Sequence, residues 1–162
     1  IAACDAANAI IEPSKVRSGV SKTRIPGRFE ERWIRGRRVI LDGAHNAESA
    51  EALAQTLASY LEGQIFVMLS GMVAGHDALS FYRPFADQLK ELHLVPLQFH
   101  RGRNPMEIGA EIEQLHIEIV HHDFMSEAIN DALDATPEGG SLVVTGSFYL
   151  VGEVGNRLKS YA

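Results

Sequence analysis

Arg38-Val39-Ile40-Leu41-Asp42-Gly43-Ala44-His45-Asn46, with the segment from Ala47 to residue 61 that follows it, decides the fold. Val39, Ile40 and Leu41 form a short apolar, partly β-branched run of the kind that makes a buried strand. In residues 47–61, Ala50, Leu53, Ala54, Leu57, Ala58 and Leu61 recur at spacings of three and four, which places them on one helical face. Asn46 suits the N-cap of that helix, because its side chain can accept from the first free helical amides. The polar run from Asp42 to Asn46 therefore joins the carboxyl end of a strand to the start of a helix.

The same unit repeats along the chain. Residues 65–69 read as a strand and 78–89 as a helix. Residues 92–97 read as a third strand with Pro96 near its end, and 106–115 as a helix opened by Asn104-Pro105. A strand at 117–120 and a helix at 126–135 follow. Gly139-Gly140 then turn into a strand at 142–145, and residues 148–161 close the chain as a mostly helical tail. Upstream, residues 1–12 are Ala/Ile-rich and helix-compatible. Pro13 opens a short helix to about Ser18, and 19–27 form a turn-rich connector. There is no tandem repeat and no low-complexity segment. Strands alternating with helices of this length predict an α/β, Rossmann-like, doubly wound domain: a mostly parallel sheet with helices on both faces.

Composition narrows the function classes. A chain of 162 residues, 46% apolar, is long enough for one domain with a real core. It has no run of about 18 apolar residues, so no membrane span is expected. The single cysteine, Cys4, excludes an internal disulfide framework and a Cys-rich zinc site. The chain opens Ile-Ala-Ala-Cys without Met or a basic flank, which predicts the cut end of a longer cytoplasmic protein rather than a signal peptide. The net charge of -6 hides an asymmetry: residues 15–38 carry +7, leaving -13 on the remainder. A basic stretch on an acidic body fits a solvated arm, a phosphate ligand or an acidic partner. Nucleic acid is disfavoured, because Trp33 is almost the only aromatic interleaved with those cations.

In doubly wound sheets, ligands bind outside the carboxyl ends of the strands, where helix N-termini offer free amides. Two segments put polar groups there: Asp42-Gly43-Ala44-His45-Asn46 and Thr145-Gly146-Ser147. Parallel strands would bring both to one edge. Asp42 and Ser147 equally suit turn and helix caps. No G-x-x-x-x-G-K-[ST], G-x-G-x-x-G or G-x-S-x-G occurs. His116, His121, His122 and Asp123 lack metal-ligand spacing and read as surface or strand-end groups, so no metal site is expected in this chain. His76-Asp77 either starts a helix or touches a ligand.

Three segments in order carry a family resemblance: Pro26-Gly27-Arg28-Phe29-Glu30, Ile40-Leu41-Asp42-Gly43-Ala44-His45-Asn46, and Thr145-Gly146-Ser147-Phe148-Tyr149-Leu150-Val151-Gly152-Glu153-Val154. Together the chain resembles the C-terminal domain of folylpolyglutamate synthase and dihydrofolate synthase, within the Mur ligase superfamily. The resemblance implies that residues 1–25 close a preceding ATPase domain and linker, and that 26–162 are the glutamate ligase domain. It implies an ATP-dependent ligase in which ATP phosphorylates a folate or pteroate carboxylate and the amine of L-glutamate then attacks. Carried over by position, Arg28 and Asp42 would contact ATP, and His45 and Ser147 would bind glutamate. His45 would also be the catalytic group easing deprotonation of the amine. The Mg2+ ligands, phosphate loop and folate pocket would lie in the N-terminal domain, so this part alone should be inactive. Where the family carries Gly-Met-Leu-x-Asp-Lys-Asp, this chain has Gly71-Met72-Val73-Ala74-Gly75-His76-Asp77, with His in place of Lys. Two alternatives are a stand-alone nucleotide- or anion-binding module and a Mur-type peptidoglycan-precursor ligase domain. Against the second stand the Ala-His-Asn ending and the segment from Gly146 to Val154.

Overall fold

A computed structural model describes residues 12–161. Cys4 and most of the first helix-compatible stretch lie outside the described residues. Helix α1 (Pro13–Lys22) begins at the expected proline but runs four residues beyond Ser18, so the connector starts later than its glycine suggests. Next come β1 (Glu30–Ile34), β2 (Arg37–Leu41), α2 (Ala47–Tyr60), β3 (Phe66–Ser70), α3 (Ala78–Tyr82) and β4 (Leu89–Leu94). The chain ends with α4 (Pro105–Glu111), β5 (Glu118–His121), α5 (Met125–Ala135), β6 (Ser141–Thr145) and α6 (Phe148–Arg157).

The six strands form one sheet in the order β1-β2-β6-β3-β4-β5. All neighbours are parallel except β1 and β2, an antiparallel hairpin. The doubly wound architecture follows from alternation along the central strands. Ile40, Met68 and Val143 point into one apolar layer with Leu53 and Leu57 of α2, Phe81 of α3 and Ile108 of α4. Val39, Leu41, Val67, Leu69, Leu142 and Val144 point into the other, against Ile129 and Leu133 of α5 and Leu150 and Val154 of α6. Strands β3 and β6 are buried at every residue, as strands covered on both faces must be.

Three expectations need correcting. Strand β1 was not expected, because its charged residues hide the alternation. The helix expected over 78–89 stops at Tyr82 and tightens into a 3-10 turn over Arg83–Phe85, where Pro84 interrupts the helical ladder. Strand β4 accordingly starts at Leu89 rather than at 92. Of the two readings for His122, the strand-end one holds and the surface one does not: it is buried at the end of β5, with His93 of β4 as its partner. Burial, and then His122 beside it, holds His93 well below the usual imidazole range, at about 4. No described helix is long and apolar enough to cross a membrane.

The topology also fixes where a ligand can sit. Neighbouring strands β2 and β6 feed helices on opposite faces, α2 into one layer and α6 into the other. Their carboxyl ends are the switch point of the sheet, where the diverging loops leave a crevice.

Candidate functional site

The crevice is built by three segments laced together through backbone. At the end of β2, the Asp42 amide donates to the Val144 carbonyl (3.0 Å) and the Gly43 amide to the Gly27 carbonyl (2.8 Å). The Gly146 amide donates to the Ala44 carbonyl (2.9 Å), which joins the loops after β2 and β6. Asp42 reinforces this with both oxygens: Oδ2 accepts from the Phe29 amide (2.8 Å) and Oδ1 from the Ala44 amide (2.9 Å). It is thus a turn clamp in this structure, although each oxygen keeps a lone pair for a further donor.

Arg28 is exposed, and its guanidinium carbon lies 4.5 Å from the centre of the Phe148 ring. This cation–π contact aims the side chain across the mouth of the crevice. Phe148, the first residue of α6, also touches His45, with ring centres 5.9 Å apart. Gly43 is required beneath it, since a Cβ there would overlap the ring. Phe148 therefore sits between Arg28 and His45. Phe148 was not among the expected site residues, whereas the sequence leaves His76 open between a helix start and a ligand contact. The Gly-Ser-aromatic segment was the available signal for the first.

His45 lies just before α2, whose N-cap Asn46 forms a reciprocal box with Ser49. Its Nδ1 is 2.9 Å from the Gly43 carbonyl oxygen. A carbonyl only accepts, so Nδ1 carries the hydrogen, and in the neutral ring Nε2 holds a lone pair. His76 packs edge-on against the same ring at 5.4 Å between centres. Asp77 beside it caps α3, its Oδ1 accepting from the Ser80 amide (2.7 Å). That bond, through the Ser80 side chain and amide, holds the Asp77 carboxyl below the usual carboxylate range. The His76-Asp77 pair therefore divides its labour: the aspartate caps, and the histidine reaches the candidate site.

Ser147 caps α6, its Oγ accepting from the Tyr149 amide (3.1 Å). It is only 2% exposed, so the crevice wall covers it, and its hydroxyl hydrogen remains free to donate. On the outer side of the crevice, Glu30 anchors the basic segment. Its Oε2 accepts from the Gly27 amide (3.0 Å) and its Oε1 pairs with Arg32. Burial opposes its ionisation, but those two partners outweigh burial and keep the carboxyl low. Arg28, Asp42, Ser49 and Thr56 share a hollow of about 220 Å³, and a larger cleft of about 710 Å³ runs from Thr23 to Glu31 beside Tyr60.

The family model of the Mur ligase glutamate ligase domain matches residues 27–148, from the turn that carries Arg28 to the ring that covers Gly43. The chain belongs to the Mur ligase family. It contains that family's glutamate ligase domain, and three solved structures share its fold. E. coli FolC in complex with DHPP and ADP superposes with a TM-score of 0.83 at 23% identity, covering 98% of this chain and 37% of that one. The Yersinia pestis bifunctional folylpolyglutamate synthase/dihydrofolate synthase complexed with AMPPNP and Mn ion gives 0.74 at 22%, covering 93% and 35%. A bifunctional enzyme of the same description with Mn, AMPPNP and L-glutamate bound gives 0.77 at 23%, covering 93% and 36%. The Mur ligase domain described here thus spans little more than a third of the length of those chains. No curated protein sequence matches it.

Proposed function

We propose that this chain is the glutamate ligase part of an ATP-dependent enzyme that joins L-glutamate to the carboxylate of a folate or pteroate. The observation that carries the reading is the switch point where Arg28 and Asp42 line one hollow and Phe148 bridges Arg28 to His45, within the segment matched to the glutamate ligase family. Residues 1–25 then close a preceding ATPase domain, which contributes the folate pocket and the ligands of Mg2+.

The residues present fit a nucleotide contact. Arg28 offers a fixed fork of donors suited to phosphate or ribose, and the spare lone pairs of Asp42 suit ribose hydroxyls. Both line one open hollow. ATP, when bound, supplies the phosphoryl group that activates the acceptor carboxylate. The chain's own work lies on the glutamate side. The amine of glutamate arrives as an ammonium and must lose a proton before it can attack carbon. The Nε2 lone pair of His45 accepts that proton, and the Nδ1–H bond to Gly43 keeps the ring in the tautomer that can do so. The free hydroxyl hydrogen of Ser147 and the first amides of the Asn46-capped helix hold the glutamate carboxylates.

Steady-state kinetics on the full-length parent test this. His45→Ala and Ser147→Ala should raise KM for glutamate more than KM for ATP, and Arg28→Ala and Asp42→Ala the reverse. Ser147→Ala also removes the α6 cap, worth about 1 kcal/mol, so His45→Ala is the cleaner arm. An unchanged glutamate dependence in His45→Ala would return His45 and Ser147 to purely structural roles.

A further inference from the structure

A second polar cluster lies at the opposite side of the sheet, with no residue in common with the crevice. His122 follows β5, four strand spacings or about 19 Å from the end of β2. Its side chain is 2% exposed, as is that of His93. His122 Nε2 lies 2.9 Å from His93 Nδ1, with ring planes within 13° and centres 5.1 Å apart. Nearly coplanar rings at that separation are joined edge to edge by one in-line N–H···N bond, not stacked face to face.

A carboxylate flanks the pair on its far side. Glu91 Oε1 is 3.0 Å from His93 Nε2, although off the direction a hydrogen bond needs, so Nε2 has no hydrogen-bond partner. The contact with His93 occupies Nε2 of His122. Nδ1 of His122 is left facing α5.

What it faces there is a carboxylate. Asp131 Oδ2 is 3.7 Å from His122 Nδ1, beyond hydrogen-bond reach, and Glu127 lies one turn earlier on the same helix face. The ligand atoms of His122, Glu127 and Asp131 all lie within 4.8 Å of one another. A buried histidine whose second ring nitrogen stands beside two carboxylates at that range is a ligand set that a cation can bridge.

We propose that His122, Glu127 and Asp131 form a binding site for a divalent transition-metal ion of the zinc class, with water completing its shell. One nitrogen and two carboxylate oxygens suit zinc, whereas magnesium prefers an all-oxygen octahedron. His93 and Glu91 orient the ligating ring from behind, as carboxylate–histidine pairs do at metal sites. Glu127 and Asp131 are exposed, so their side chains are free to close the remaining distance.

Calorimetric titration of the 162-residue chain with ZnCl2, after treatment with a chelator, tests the site. The unmodified chain should bind one ion, and Glu127→Gln and Asp131→Asn should each weaken Kd at least tenfold. Both positions are on the exposed face of α5, and unchanged circular dichroism would show that the fold is intact. With Co2+ in place of zinc, a d–d absorption band should be present in the unmodified chain and altered in both variants. Absence of a site, a zinc site indifferent to both substitutions, or tighter binding of Mg2+ than of Zn2+ would overturn the proposal.

Discussion

Gly146 has a φ of 110°, and a Cβ there would lie 2.5 Å from Ser70 Oγ and 2.9 Å from the Gly71 carbonyl oxygen. Ser70 cannot retreat, because its hydroxyl donates to the Thr145 carbonyl (2.8 Å) and accepts from Tyr82 (2.8 Å) in a fully buried position. Gly146→Ala should therefore cost at least about 2 kcal/mol in equilibrium urea denaturation, from left-handed strain and overlap together. Gly139→Ala, at φ 76° with open space around it, should cost only about 1 kcal/mol and isolates the backbone contribution. Asn46→Ala should cost about 1 kcal/mol in the same assay, through loss of the box with Ser49. The Asn46 cap was legible in the sequence because its partners lie within three residues. The Asp42 clamp was not, since Phe29 is 13 residues upstream and only the hairpin brings its amide into reach. The same limit hid His93 behind His122, a pair separated by 29 residues and joined only by strand order.

At the scale of elements, the strands that could be read were those with an apolar run, the edge strand β5, read at 117–120, among them. Apolar runs at 38–41, 65–69 and 142–145 mark β2, β3 and β6 to within a residue. Edge-ward strands carry charge, and β1 reads Glu-Glu-Arg-Trp-Ile with only Ile34 buried. Its turn is equally disguised. Ile34 pairs with Arg37 across a two-residue loop whose Arg35 and Gly36 both have positive φ, at 48° and 74°. Such a loop ordinarily announces itself as Asn-Gly or Asp-Gly. Arg35 holds the left-handed conformation against its side chain, so Arg35→Asn should stabilise the chain by about 0.5–1 kcal/mol, seen as a rise in Tm. Helix α3 makes a complementary case. It has five residues, so its cap is a large share of what holds Phe81 and Tyr82 in place. Asp77→Ala should cost about 1 kcal/mol near neutral pH. Because its carboxyl is held low in the fold, that contribution is present above the usual carboxylate pKa and fades as pH falls through the folded value. Asp77→Asn keeps the cap and should lose the pH dependence, which urea titrations across the acid range would read directly.

Across the whole molecule, the two apolar layers on a six-stranded sheet form a complete core, while the crevice they support is open on its outer side. Residues 23–26 and 28–31 of the basic stretch line the cleft on that side, whereas Arg35, Arg37 and Arg38 lie at the other end of the strands, Arg37 donating to the Thr136 carbonyl. Part of the stretch's charge is absorbed internally: Arg32 pairs with Glu30, and Arg38 lies 3.5 Å from Glu31. Arg28, like Arg35, has a ring face rather than a carboxylate as its described contact. A complete core beside half a ligand site leads to a paired expectation for the 162-residue chain. It should unfold in urea as one cooperative transition, with fluorescence of Trp33 on β1 and far-ultraviolet circular dichroism giving coincident curves. The same preparation should show no ATP- and glutamate-dependent elongation of a folate, because the proposed phosphate loop, metal ligands and folate pocket belong to the preceding domain. Cooperative unfolding with measurable elongation by this chain alone would place those functions inside the fold described here and would sink the proposed division between the two domains.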